Sequence, residues 1–144
     1  MASSVQTRSP SALTGVRRIA LTGYRWLLLA FLLAGGAQIF LAGLGVFTVT
    51  HGGAVDSAFS AHRALGFSLA GGALVIFVLA LIARPGGRAI ILSGVLLLLA
   101  ALMQSLLAGL ADNATVFGGL HALDGLLILA IAGFLYASAR RWRS

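Results

Sequence analysis

The chain has 144 residues, of which 60% are apolar and only 9% charged, and it contains no cysteine. This composition excludes a water-soluble globule, a disordered tail protein, a disulfide-stapled secreted domain and any site built on thiolates, iron–sulfur clusters and cysteine zinc sites among them. The net charge of +7 would suit a nucleic-acid partner only if the arginines shared one solvated face. They fall between apolar runs instead, so one small integral membrane domain remains.

In chain order, residues 1–16 read as a polar, disordered cytoplasmic tail ahead of a transmembrane domain over 17–144. A hydrocarbon core about 30 Å thick takes roughly 20 residues of helix, and four apolar windows are long enough. The first predicts a helix over 25–49. Its basic approach to Leu27-Leu28-Leu29 resembles a signal peptide with a cleavage point at Ala34-Gly35-Gly36-Ala37. The apolar run continues well past that point, so the helix reads as a retained anchor. A turn over His51-Gly52-Gly53-Ala54-Val55-Asp56 leads to the second helix, 57–83. Arg84-Pro85-Gly86-Gly87-Arg88 turns the chain into the third, 89–111, and Asp112-Asn113-Ala114-Thr115 into the fourth, 116–139. Asp56 or Ser57, and Thr115, are the expected N-caps of the second and fourth. Backbone polar groups in lipid are satisfied only within helices, and short loops make neighbours antiparallel. The expected architecture is therefore all-α, an up-down four-helix bundle.

Nine of the ten basic residues, all arginines, lie on one side: Arg8, Arg17, Arg18 and Arg25, then Arg84 and Arg88, then Arg140, Arg141 and Arg143. That side is expected to face the cytoplasm, with both termini inside the inner membrane and the loops of Asp56 and Asp112 outside. Tyr24, Trp26, Tyr136 and Trp142 fall at the matching interface, as an aromatic belt would.

The two halves repeat. Gln38-Ile39-Phe40-Leu41-Ala42-Gly43-Leu44 matches Gln104-Ser105-Leu106-Leu107-Ala108-Gly109-Leu110, and His62-Arg63-Ala64-Leu65-Gly66 matches His121-Ala122-Leu123-Asp124-Gly125. Each hairpin starts and ends inside, so the repeats are parallel, related by a pseudo-two-fold axis along the membrane normal. His62 and His121 are then expected at equal depth, on the order of 8 Å inside the outer end. Polar groups at that depth are costly and face the bundle interior.

Two symmetric histidines suggest axial ligation of a heme iron, since each imidazole offers one neutral nitrogen and a flat macrocycle can sit between two helices. Gly66 and Gly125, one turn after each histidine, would clear room for that ring. Arg63 could pair with a propionate, and Gln38 or Gln104 could hold an imidazole N–H in the required tautomer. At these residues, over roughly 25–140, the chain resembles the four-helix, histidine-paired membrane b-type cytochromes, and more narrowly one four-helix half of heme A synthase. It is also similar to a group of small actinobacterial four-helix membrane proteins with no assigned activity. The cytochrome resemblance implies one heme b per chain on His62 and His121, moving electrons near the outer face to or from a quinone or a larger redox complex. With no glutamate anywhere and only one intramembrane acid, it implies an electron carrier or subunit rather than heme A synthesis by this chain alone.

Other readings stand beside this one. The histidines could simply hydrogen-bond Gln38, Gln104 or Asp124, or join Asp124 around zinc or copper, or line a quinone site. The chain could be a non-catalytic subunit packed against lipid and a respiratory or photosynthetic complex, or a heme-handling enzyme as a homodimer. Asp124 is read as protonated, paired with Arg63 or bonded to His121. His51 is read as a solvated loop residue, Met103 as core filler, and Gly35-Gly36, Gly43, Gly71-Gly72 and Gly133 as close-packing sites.

Overall fold

The structure, a computed structural model, describes residues 12–142. In chain order these form α1 (Ala12–Thr50), a single turn α2 (Val55–Ala58), α3 (Ser60–Ala83), α4 (Gly87–Leu97), a π-helical stretch (Leu98–Met103), α5 (Gln104–Leu110) and α6 (Thr115–Ala139). The rod from α4 through the π turn to α5 is one span, so four helices are long and apolar enough to cross a membrane. The chain is a multi-pass, all-α membrane protein. Going round the bundle, α1 packs on α3, α3 on α4 and the π turn, these on α6, and α6 back on α1. Consequently α3 and α6 stand on a diagonal, which is what an up-down repeat of two hairpins produces.

Several boundaries differ from expectation. The first helix begins at Ala12 rather than 25, so 12–16, expected within the disordered tail, are helical; the rest of that tail, 1–11, lies outside the described residues. Once a helix is nucleated, each further residue adds a hydrogen bond, and no proline interrupts 12–50. The second helix, expected over 57–83, is broken at Phe59 into α2 and α3. Phe59 leaves helical geometry (φ −104°, ψ 6°), and its ring fills the space over Gly45 of α1, where a Cβ would come within 2.6 Å. Packing of one aromatic ring thus overrides helix continuity. The N-caps are Ala54 and Ala114, neither with a side-chain cap bond. Asp56 and Ser57 sit inside α2, and Thr115 opens α6 one residue late for capping.

The tightest packing lies at the arginine-rich end and the middle of the bundle, where Tyr24, Leu28, Ile76, Ala80, Leu96 and Leu135 are fully buried. Tyr24 and Ser93 hydrogen-bond at 2.9 Å across α1 and α4. Trp142 stacks on Tyr24 with ring centres 6.1 Å apart, while Arg25 donates to the carbonyls of Ala139 (2.7 Å) and Trp142, closing the C-terminal end of α6. Tyr24 therefore belongs to an inward lock and not to an aromatic belt, whereas Trp26 is exposed as a belt residue would be. On α1, Ile19, Trp26, Leu33, Phe40 and Phe47 recur every seven residues and are all two-thirds or more exposed. In lipid that stripe is solvated by acyl chains. Of the expected packing glycines, Gly35 meets Leu129 closely and Gly72 touches Phe31, but Gly36, Gly43, Gly71 and Gly133 face open space. Gly45 and Gly94, against Phe59 and Phe77, take that role instead.

Candidate functional site

Two helices on the diagonal present the histidines to each other. His62 of α3 and His121 of α6 have ring centres 6.2 Å apart, with planes inclined at 57°. Each ring is tied at Nδ1 to the neighbouring helix: His62 to the Gln38 carbonyl of α1 at 3.2 Å and His121 to the Gln104 carbonyl of α5 at 3.1 Å. A carbonyl oxygen can only accept, so Nδ1 carries the proton in both rings. In a neutral imidazole that leaves the lone pair on Nε2.

The glutamine side chains complete the same pattern twice. Gln38 Nε2 donates to the His62 carbonyl at 2.8 Å, and Gln104 Nε2 to the His121 carbonyl at 3.0 Å. A helical carbonyl points toward the residue four places on, which explains why a glycine follows each histidine at that distance. A Cβ on Gly66 would lie 3.2 Å from Gln38 Nε2, and one on Gly125 3.6 Å from Gln104 Nε2. Here both glycines clear the approach of an amide to the histidine carbonyl.

The halves differ in the polarity of one buried position. Leu65 in the first half corresponds to Asp124 in the second, and Asp124 is buried with Oδ2 accepting from Gln104 Nε2 at 3.0 Å. Its partner is neither Arg63 nor His121, contrary to both pairings expected from sequence. Gln38 has no such acid beside it and approaches the His62 ring instead, Nε2 to Nε2 at 3.3 Å. Its own Oε1 is buried without a hydrogen-bond partner among the described residues. Phe59 sits edge-on to the His62 ring, 6.1 Å between centres, and walls that side of the site.

Arg63 is turned elsewhere. Its guanidinium donates to the Asp56 carbonyl at 2.7 Å and pairs with the Asp56 carboxylate at 3.6 Å, on the exposed rim. Asp56 lies two turns upstream, near enough to claim the charge before anything at the histidines can. His51 is exposed at the end of α1 and donates from Nδ1 to the Phe47 carbonyl at 2.8 Å. Among the described residues no group of three or more metal-ligating side chains comes together, so a zinc or copper site of two histidines and Asp124 is not formed.

The groups here that could hold a metal ion or a metal cofactor are the two imidazole nitrogens, His62 Nε2 and His121 Nε2. Their ring centres lie 6.2 Å apart, and His62 Nε2 is met by Gln38 Nε2 at 3.3 Å. Both rings carry their proton on the nitrogen that bonds the neighbouring helix, which leaves Nε2 as the acceptor atom of each.

No curated protein and no solved structure matches the chain. Residues 38–111, just over half of the sequence, run from the first glutamine of the site to the loop after the third span and match the Family of unknown function (DUF6220), and the chain belongs to that family.

Proposed function

We propose that the chain is a heme b-binding electron carrier of the cytoplasmic membrane, in which His62 and His121, near the outer face, would hold the heme. The observation that supports this is the matched geometry of the two rings: 6.2 Å apart on diagonal helices, each with its proton directed to a backbone carbonyl. Heme, when bound, supplies one-electron transfer. The carbonyls of Gln38 and Gln104 hold each imidazole in its orientation and keep Nε2 free of a proton. Phe59 and the apolar helix faces limit the access of water to the rings. Quinone or a larger redox complex is the expected partner class. The arginine asymmetry supports an orientation with both termini in the cytoplasm.

The test is heme content of the purified protein. The wild type is expected to hold one heme per chain, His62→Ala and His121→Ala to lose it, and His51→Ala to retain it. A protein that carries no heme when expressed with heme in excess overturns the proposal.

One observation favours a second reading, a purely structural polar clamp between the two helices of each hairpin: the glutamine amides already occupy the space over both glycines. On that reading the histidine substitutions lower stability by roughly 1 kcal/mol each and change no spectrum.

A further inference from the structure

The end of the bundle opposite the histidines holds a cavity of about 530 Å³ between the α3–α4 turn and the end of α6, with Gly87, Arg88, Phe134, Ser138, Arg141 and Trp142 in its wall. We propose that this cavity binds the phosphate of an anionic phospholipid headgroup.

Charge is the first argument. The cavity wall carries two arginines, while the three carboxylate side chains of the chain, Asp56, Asp112 and Asp124, belong to the other loops and the other half of the bundle. Among the described residues the one ion pair is Arg63–Asp56, so neither Arg88 nor Arg141 is neutralised by a carboxylate side chain. Preorganisation is the second. Arg88 lies over the Phe134 ring at 4.8 Å, which fixes the guanidinium plane while its N–H edges stay open to an acceptor. The opposite wall is held by Trp142, stacked on Tyr24 and anchored through its carbonyl by Arg25. Position is the third argument, and it selects a lipid over a free anion. The cavity lies where two membrane spans end, at Ala83 and Ala139, and another begins, at Gly87. It is therefore at headgroup level, with the apolar Phe134 and Leu135 in the same wall. Basic pockets between helices at this depth suit anionic headgroups. α4 also opens here at Gly86 with no side chain capping its first turn.

The experiment is lipid exchange on the full chain in nanodiscs containing phosphatidylglycerol and phosphatidylcholine, read by native mass spectrometry of retained lipid. The wild type is expected to retain phosphatidylglycerol selectively. Arg88→Gln or Arg141→Gln is expected to lower that selectivity about fivefold and the double variant about thirtyfold. Arg88→Lys, which keeps the charge, is expected to retain most of it, as is Arg84→Gln with Arg140→Gln, which removes the same charge outside the cavity wall. Equal loss in the Arg84/Arg140 pair, or unchanged selectivity in the Arg88/Arg141 pair, overturns the proposal. Displacement of the lipid by inorganic phosphate alone overturns the assignment to a headgroup.

Discussion

At the residue scale, the repeated triplet of glutamine, histidine and glycine acts as one unit. The histidine ring reaches the glutamine backbone, and the glutamine amide reaches back to the histidine backbone over a glycine. The two copies differ in tightness, which makes their glycines unequal. At Gly66 a methyl would press on Gln38 Nε2 at 3.2 Å, while at Gly125 the corresponding 3.6 Å is an ordinary contact. Gly66→Ala is therefore expected to lower thermal stability by on the order of 1 kcal/mol more than Gly125→Ala, the value of one interhelical hydrogen bond. Thermal unfolding of the two variants in the same detergent checks this, and equal shifts would contradict it. The histidines and glutamines were legible in the sequence because charge-free windows make polar residues conspicuous. The partner of Asp124 was not, since Gln104 is on another helix and no spacing rule links the two. Phe59 and Gly45 carried no signal at all: an aromatic and a glycine in an apolar run look like filler until the helices are docked.

At the element scale, the third span is not a uniform helix. The Gln104 N–H bonds to the Leu99 carbonyl, five residues back, so the π turn feeds directly into the glutamine that holds His121. In unbroken α geometry one extra residue would rotate the downstream side chains by about 100°; the π turn absorbs it and so sets the face on which Gln104 emerges. Deleting Ala101 is expected to convert the π turn to α-helix with Gln104 still facing α6 and heme retained, whereas deleting Ala101 and Leu102 together is expected to swing Gln104 about 100° away and abolish heme retention, with total helicity by circular dichroism unchanged in either variant. Ala101→Leu, an exposed substitution within the same turn, is expected to keep both. Loss of heme from the single deletion, or heme retention in the double deletion, would show that the π turn has no part in placing Gln104. The span itself was plain from hydropathy, but Leu98–Met103 is apolar throughout and reads identically in α and π geometry. Capping failed for a related reason: in lipid, tertiary contacts and span length fix helix ends more strongly than Ser, Thr or Asp side chains do, so Ala54 and Ala114 serve as N-caps.

At the scale of the whole molecule, the bundle is polarised. One end is closed by Tyr24, Ser93, Arg25 and Trp142 around a dense core, and the other half holds the histidine pair. A rigid base at one end lets the other hold the polar residues that a small domain with little interior has room for. The charge of +7, which would suit a polyanion partner in a soluble protein, shares this polarity: arginines gather at the closed end. Single cysteines introduced at Asp112 and Arg84 are expected to label from the periplasmic and the cytoplasmic side of intact cells respectively, and the reverse pattern would invert the proposed orientation. The four spans and the repeat symmetry were legible because apolar windows and the two histidine motifs are linear patterns. The diagonal placement of α3 and α6 followed from short loops. The distance between the rings, on which the functional reading depends, exists only in three dimensions. The reduced-minus-oxidised absorption spectrum of the purified protein tests that reading most directly. The account predicts the sharp α and Soret bands of a low-spin heme b with two imidazole ligands, absent from His62→Ala and His121→Ala. A featureless spectrum from heme-replete wild type, or the same bands in both variants, would contradict it.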